Sequence, residues 1–148
     1  MAINSSRVVA GGLVAGLVMN VVAFIVNGLL LSKRMEAEML AVAPTLQGRG
    51  MSGGVIASRV ITQFLVGILL VWLYAAIRPR FGAGPKTAAI AGLIVWCFGF
   101  IFYLDWLYVD LISVTSYAII SVIQLISLMI AAWIGGKIYT EQGAPAVV

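Results

Sequence analysis

Four apolar runs, at about residues 8–31, 60–77, 87–108 and 117–136, constrain this chain more than any motif does. Each reaches the roughly 17 to 25 residues that a helix needs to cross the hydrocarbon of a bilayer. In hydrocarbon every backbone N–H and C=O must be satisfied by the protein, and a helix does this within each segment. The runs predict an all-α protein, an integral membrane four-helix bundle forming a single membrane domain over residues 1–148. Composition leaves no water-soluble alternative. Only 9% of the residues are charged and 63% are hydrophobic, whereas soluble domains carry about 25% charged residues. A domain this small keeps too much surface to hide such an apolar excess. The first run is too long for the apolar region of a cleaved signal peptide and has no clear cleavage site after it, so a retained anchor is expected.

The net charge of +4 belongs to the connections, where it orients the chain. Arg7, Arg78, Arg80, Lys86 and Lys137 fall on one side. Lys33, Arg34, Arg49 and Arg59 fall on the other, offset by Glu36 and Glu38. The short loop "RPRFGAGPK" is dense in cations and the opposite turn "DLISVTS" has none. Short loops weigh most in the positive-inside rule, so both termini are expected in the cytoplasm. No basic stripe interleaved with aromatics lies outside the apolar runs, and no nucleic-acid partner is expected.

The chain has no histidine, and its single cysteine, Cys97, lies within an apolar run. That excludes an intrachain disulfide and any CxxC motif. Without histidine the commonest general base, the usual zinc ligand and the usual axial haem ligand are all missing. No metal or cofactor is expected, and haem or chlorophyll held through histidine is ruled out. Contact with lipid, carotenoid or quinone needs no such ligand and stays open. Residues 48–53, "GRGMSG", match G-x-G-x-x-G formally. No strand precedes them and a membrane helix follows, so they read as a flexible entry to the second span rather than a dinucleotide site. With no P-loop, HExxH or GxSxG motif, no enzyme and no catalytic residue are expected.

The one long connection, residues 32–58, contains "SKRMEAEMLAVA". Met35, Met39 and Val42 share one face of a short amphipathic helix that Pro44 would stop. Such a helix either lies along the membrane interface or offers its methionine face to a partner.

Polar residues inside the spans are the candidate sites. Gly12, Gly16, Asn20, Ala23 and Asn27 fall within about an 80° arc of the first helix. Gly12 and Gly16 form a GxxxG packing motif. The second helix offers Arg59, Gln63 and Gly67 on a shared face, and the fourth offers Tyr117, Gln124, Ala131 and Gly135. Because the helices alternate in direction, Asn20, Asn27, Arg59, Gln63, Tyr103, Asp105 and Gln124 gather in the half of the bundle next to the long loop. They either bond to one another and hold the helices together, or line a small pocket open to that side.

"FYLDWLYVDL", residues 102–111, carries two of the five acidic residues. Asp105 and Asp110 lie about 140° apart around a helix and cannot act as one carboxylate pair. Asp110 reads as a solvated residue ending the span. Asp105 is expected to pair with Arg59 across the second and third helices, since a charge at that depth is better tolerated when paired. Tyr103, Trp106, Tyr108 and Tyr117 read as an interfacial aromatic belt.

The run "RVVAGGLVAGLVMNVVAFIVNGLLL", the Met-bearing loop after it and the third span running into aromatics resemble small four-helix bacterial inner-membrane proteins of unknown function. The resemblance is one of architecture. It implies a bacterial inner-membrane location and transfers no residue roles. The chain does not resemble the small multidrug transporters, because its first helix lacks an embedded glutamate. The expected function is non-catalytic: an accessory or stabilising subunit of a larger membrane complex, in contact with lipids and with other membrane subunits through its helix faces. The alternative is a small transporter or binding protein using the polar pocket.

Overall fold

The computed structural model describes residues 3–48 and 52–141, and among these every regular element is helical. Helix α1 (Ser5–Ala23) continues through a π-helical stretch, Phe24–Leu30. Then follow α2 (Ser32–Val42), α3 (Gly53–Phe81), α4 (Pro85–Tyr108) and α5 (Val114–Ile138). Four rods are long and apolar enough to cross a membrane: Ser5–Leu30, Gly53–Phe81, Pro85–Tyr108 and Val114–Ile138. The protein is a multi-pass membrane protein built as a helical bundle.

Helix α1 packs against α3 and α5, α4 packs mainly against α5, and α3 meets α4 more sparingly. Small residues set this arrangement. Gly12 and Gly16 on α1 face the backbone of Ile68 and Phe64 on α3, and Gly67 faces Gly12 and Gly16 in return. On the other side of α1, a Cβ at Gly135 of α5 would stand 2.7 Å from the carbonyl oxygen of Gly11. Only glycine allows that approach. Lipid tails are as apolar as leucine, so close packing of this kind, rather than expulsion of water, holds membrane helices together. Ala15, Leu70, Val71, Ala131 and Ala132 fill the seam. Leu17, Leu65, Phe98, Phe102 and Val122 point outward, where lipid can cover them.

Helix α3 departs from the sequence expectation at both ends. Helix α3 starts at Gly53, capped by Ser52, whose Oγ accepts the Val55 N–H at 3.3 Å. The connection expected over 32–58 is therefore shorter, and α2 within it is the short helix expected before Pro44. Residues 49–51 of "GRGMSG" lie outside the described residues. At its other end α3 runs past residue 77 and takes Pro79 into its last turn. The chain then reverses through Gly82 and Gly84, at φ +82° and +130°. These are conformations that side chains disfavour. Thr87 Oγ1 donates to the Gly82 carbonyl at 2.6 Å and ties α4 back to that turn.

Helix α4 ends in a Schellman motif. Leu111 N donates to Trp106 O at 2.9 Å and Asp110 N to Leu107 O at 3.2 Å. Asp110 occupies the left-handed position that glycine usually takes, at φ 55°. Asp110 thus ends the span as a backbone cap. Tyr117 departs from the aromatic belt. It is buried inside the bundle and its hydroxyl donates to the Phe100 carbonyl at 2.9 Å.

Candidate functional site

Three side-chain amides from three helices meet at one cleft. Asn27 comes from the π-helical end of α1, Gln63 from α3 and Gln124 from α5. Met19, Val26, Ser127 and Leu128 complete much of the wall of a cleft of about 60 Å³. Gln124 lies ten residues after Val114, about 15 Å along the helix axis. Gln63 lies ten residues after Gly53, at a similar depth of about 15 Å. Among the described residues none of the three amides has a hydrogen-bond partner, and Asn27 and Gln124 are exposed. Each amide offers donors and acceptors but no titratable proton. The cleft can therefore bind water, an ion or another polar side chain, and it supplies no acid or base.

The other candidate residues stand elsewhere. Asn20 donates through Nδ2 to the Gly16 carbonyl at 2.9 Å and across to the Val60 carbonyl of α3 at 3.3 Å. It acts as a rivet between α1 and α3. Tyr103 stacks on Trp106 with ring centroids 5.7 Å apart, and both are exposed.

Arg59 and Asp105 do not form the expected ion pair. Both side chains are exposed, and the described ion pairs are Arg34–Glu38 and Arg78–Glu141. The reason is the bundle order. Helices α3 and α4 are stitched together at their shared turn, where Gly84 N donates to the Tyr74 hydroxyl at 3.2 Å. In the other half α4 follows α5 instead. There Trp96 Nε1 donates to the Ser121 carbonyl at 2.8 Å, alongside the Tyr117–Phe100 bond.

A polar network that the sequence reading did not assemble closes the long-loop end. Glu38 on α2 accepts from the hydroxyls of Ser113 and Ser116, both at 2.6 Å on the same carboxylate oxygen. The Ser113 N–H approaches its second oxygen at 3.4 Å. Arg34 donates to the same two serines, to Ser116 at 2.5 Å and Ser113 at 3.3 Å, and pairs with Glu38 at 3.4 Å. The carboxylate sits at the N-terminus of α5, where the helix dipole favours negative charge. Burial pushes the Glu38 carboxyl up, but the bonds from Ser113 and Ser116, with Arg34 nearby, outweigh it and hold it below its ordinary value. Helix α2 fully buries no residue, and the described side-chain hydrogen bonds that tie it to the bundle are those of this network. The signals were the i, i+4 spacing of Arg34 and Glu38 and the capping pattern of Ser113 to Ser116. What linked them across the chain was not visible.

Among the described residues no three His, Cys, Asp or Glu side chains cluster as a metal site would require. Comparison with protein-family models, with curated proteins and with solved structures finds no match for this chain.

Proposed function

We propose that the protein is a non-catalytic membrane subunit that acts by packing, an accessory or stabilising component of a larger complex. The setting would be a bacterial inner membrane with both termini on the cytoplasmic side. One observation carries this reading. Gln124 lies deep along α5, is exposed in the open cleft it shares with Asn27 and Gln63, and has no hydrogen-bond partner among the described residues. A polar group left unsatisfied in hydrocarbon costs several kcal/mol. A neighbouring helix that bonds to it recovers roughly 0.6 to 2 kcal/mol. The exposed Asp105, beside the Tyr103–Trp106 stack, adds a second outward polar contact on α4. Purification in mild detergent is expected to yield a stoichiometric partner, and Gln124→Leu is expected to weaken that association while the isolated bundle stays folded. A stable lone monomer in native membranes would overturn the reading.

The shared cleft of Asn27, Gln63 and Gln124 favours one alternative, a small binding or conducting protein. Its volume of about 60 Å³ decides what could enter. Organic ligands occupy sites of about 300 Å³ or more, whereas water takes about 30 Å³. The occupant would be water or a small ion. Asp105 lies outside this cleft, so a proton-coupled version lacks its carboxylate. In a Cys97→Ser background, Gln63→Cys should react with a membrane-impermeant maleimide if the cleft is wet. Complete protection would remove the alternative.

A further inference from the structure

A second, larger cavity lies at the short-loop end, where the last turns of α3 and α5 meet the start of α4. It measures about 280 Å³ and its wall includes Tyr74, Arg78, Gly84, Trp133, Lys137 and Tyr139. Two cations face it, one with no described ion pair and one held in a single long pair. Lys137 Nζ sits 3.8 Å from the centroid of the Trp133 ring, and no described carboxylate pairs with it. An aromatic face holds a cation in place without cancelling its charge. The Arg78 guanidinium lies 5.6 Å from the Tyr139 ring and reaches Glu141 only at 3.8 Å, beyond hydrogen-bond distance. Its Nη1 is shielded from solvent and has no partner among the described residues. Guanidinium carries five N–H donors in a planar fork suited to phosphate. Here the Nη1 edge of that fork is positioned and unpaired among the described residues.

We propose that this cavity binds the phosphodiester headgroup of an anionic phospholipid, gripped by Arg78 and Lys137. The local charge supports an anion: two lysine and arginine cations against the one carboxylate of Glu141. The volume approaches the lower bound of about 300 Å³ for small-molecule sites, which suits a phosphodiester with its glycerol carbons. The position supports a lipid rather than a soluble anion. The cations lie in the last turns of two membrane-spanning helices, and Ile130 and Trp133 on α5 are exposed just below Lys137, where acyl chains would run. Basic pockets between membrane helices are a recognised lipid-headgroup geometry. Glu141 holds the place the phosphate would take beside Arg78.

The test is native mass spectrometry of the full chain with short-chain phosphatidylglycerol, phosphatidylcholine and inorganic phosphate as separate probes. One phosphatidylglycerol per chain is expected, bound about tenfold more tightly than phosphatidylcholine. Arg78→Gln with Lys137→Gln should weaken it by about tenfold or more. Lys33→Gln with Arg59→Gln, which removes the same two charges outside the cavity, should not, and Glu141→Gln should tighten it. Equal affinity for phosphatidylcholine, or an unaffected double variant, overturns the site. Inorganic phosphate binding as tightly as phosphatidylglycerol would reassign the cavity to a soluble anion and overturn the lipid assignment. If the double variant fails to fold, the preference of the wild-type protein among the three probes decides the question.

Discussion

Glu38 and Ser116 stand 78 positions apart in the chain, yet the Ser116 hydroxyl donates to the Glu38 carboxylate at 2.6 Å. The same oxygen accepts from Ser113 at 2.6 Å. This junction fastens α2, which lies outside the spans, to the N-terminus of α5.

Docking of α2 should therefore depend on pH. The Glu38 carboxyl is held below its ordinary value in the fold. A depressed value contributes stability that is complete above the unfolded value, about 4.3 for glutamate, and is lost as pH falls through the folded one. A spin-label pair on α2 and α5 should report a fixed distance at neutral pH and a broadened one well below pH 4. Glu38→Gln should weaken docking at neutral pH by about 1.5 to 3 kcal/mol, the range for hydrogen bonds to a charged group. An unchanged distance distribution in both experiments would count against the junction.

Gly67→Ala should separate α1 from α3. A Cβ there would collide with the Gly12 carbonyl oxygen and stand 2.9 Å from the Gly16 Cα. Overpacking of this kind costs about 1 to 3 kcal/mol. Gly99→Ala is the control, because nothing lies within 4 Å of a Cβ built at that glycine. It should be neutral or gain up to about 1 kcal/mol from helix propensity. Unfolding titrations in detergent would rank the two.

Asp105→Asn should leave the stability of the isolated bundle within about 0.5 kcal/mol. The aspartate is exposed and is not paired with Arg59. A loss of several kcal/mol in the same titration would restore the interhelical ion pair.

Asp110 tests the cap on α4. It sits at φ 55°, where a β-branched residue is strongly disfavoured. Asp110→Val should cost about 1 to 2 kcal/mol, and Asp110→Gly should be neutral or stabilising. Equal effects from the two would mean that the Schellman geometry does not govern this turn.

Span number, the amphipathic helix stopped before Pro44 and the Gly12–Gly16 packing face could all be read from residue order. So could the gathering of Asn27, Gln63 and Gln124, since alternating helices bring those depths to the same half of the bundle. The pairing of Arg59 with Asp105 failed on a point that depth alone does not address. Two charges at one level meet only if their helices are neighbours at that level and turn the right faces to each other.

Sequence by itself determined that this protein lives in a bilayer. Hydrocarbon imposes one requirement on every backbone group, and runs of apolar residues meet it locally, helix by helix. Tertiary structure alone decided which helix touches which. It set α4 against α5 rather than along α3, drew Tyr117 inside, and brought Glu38 to Ser113 and Ser116. Those contacts depend on where backbones approach closely, at Gly12 against Ile68 and Gly11 against Gly135. Such complementarity is a property of paired surfaces, and no single helix carries it.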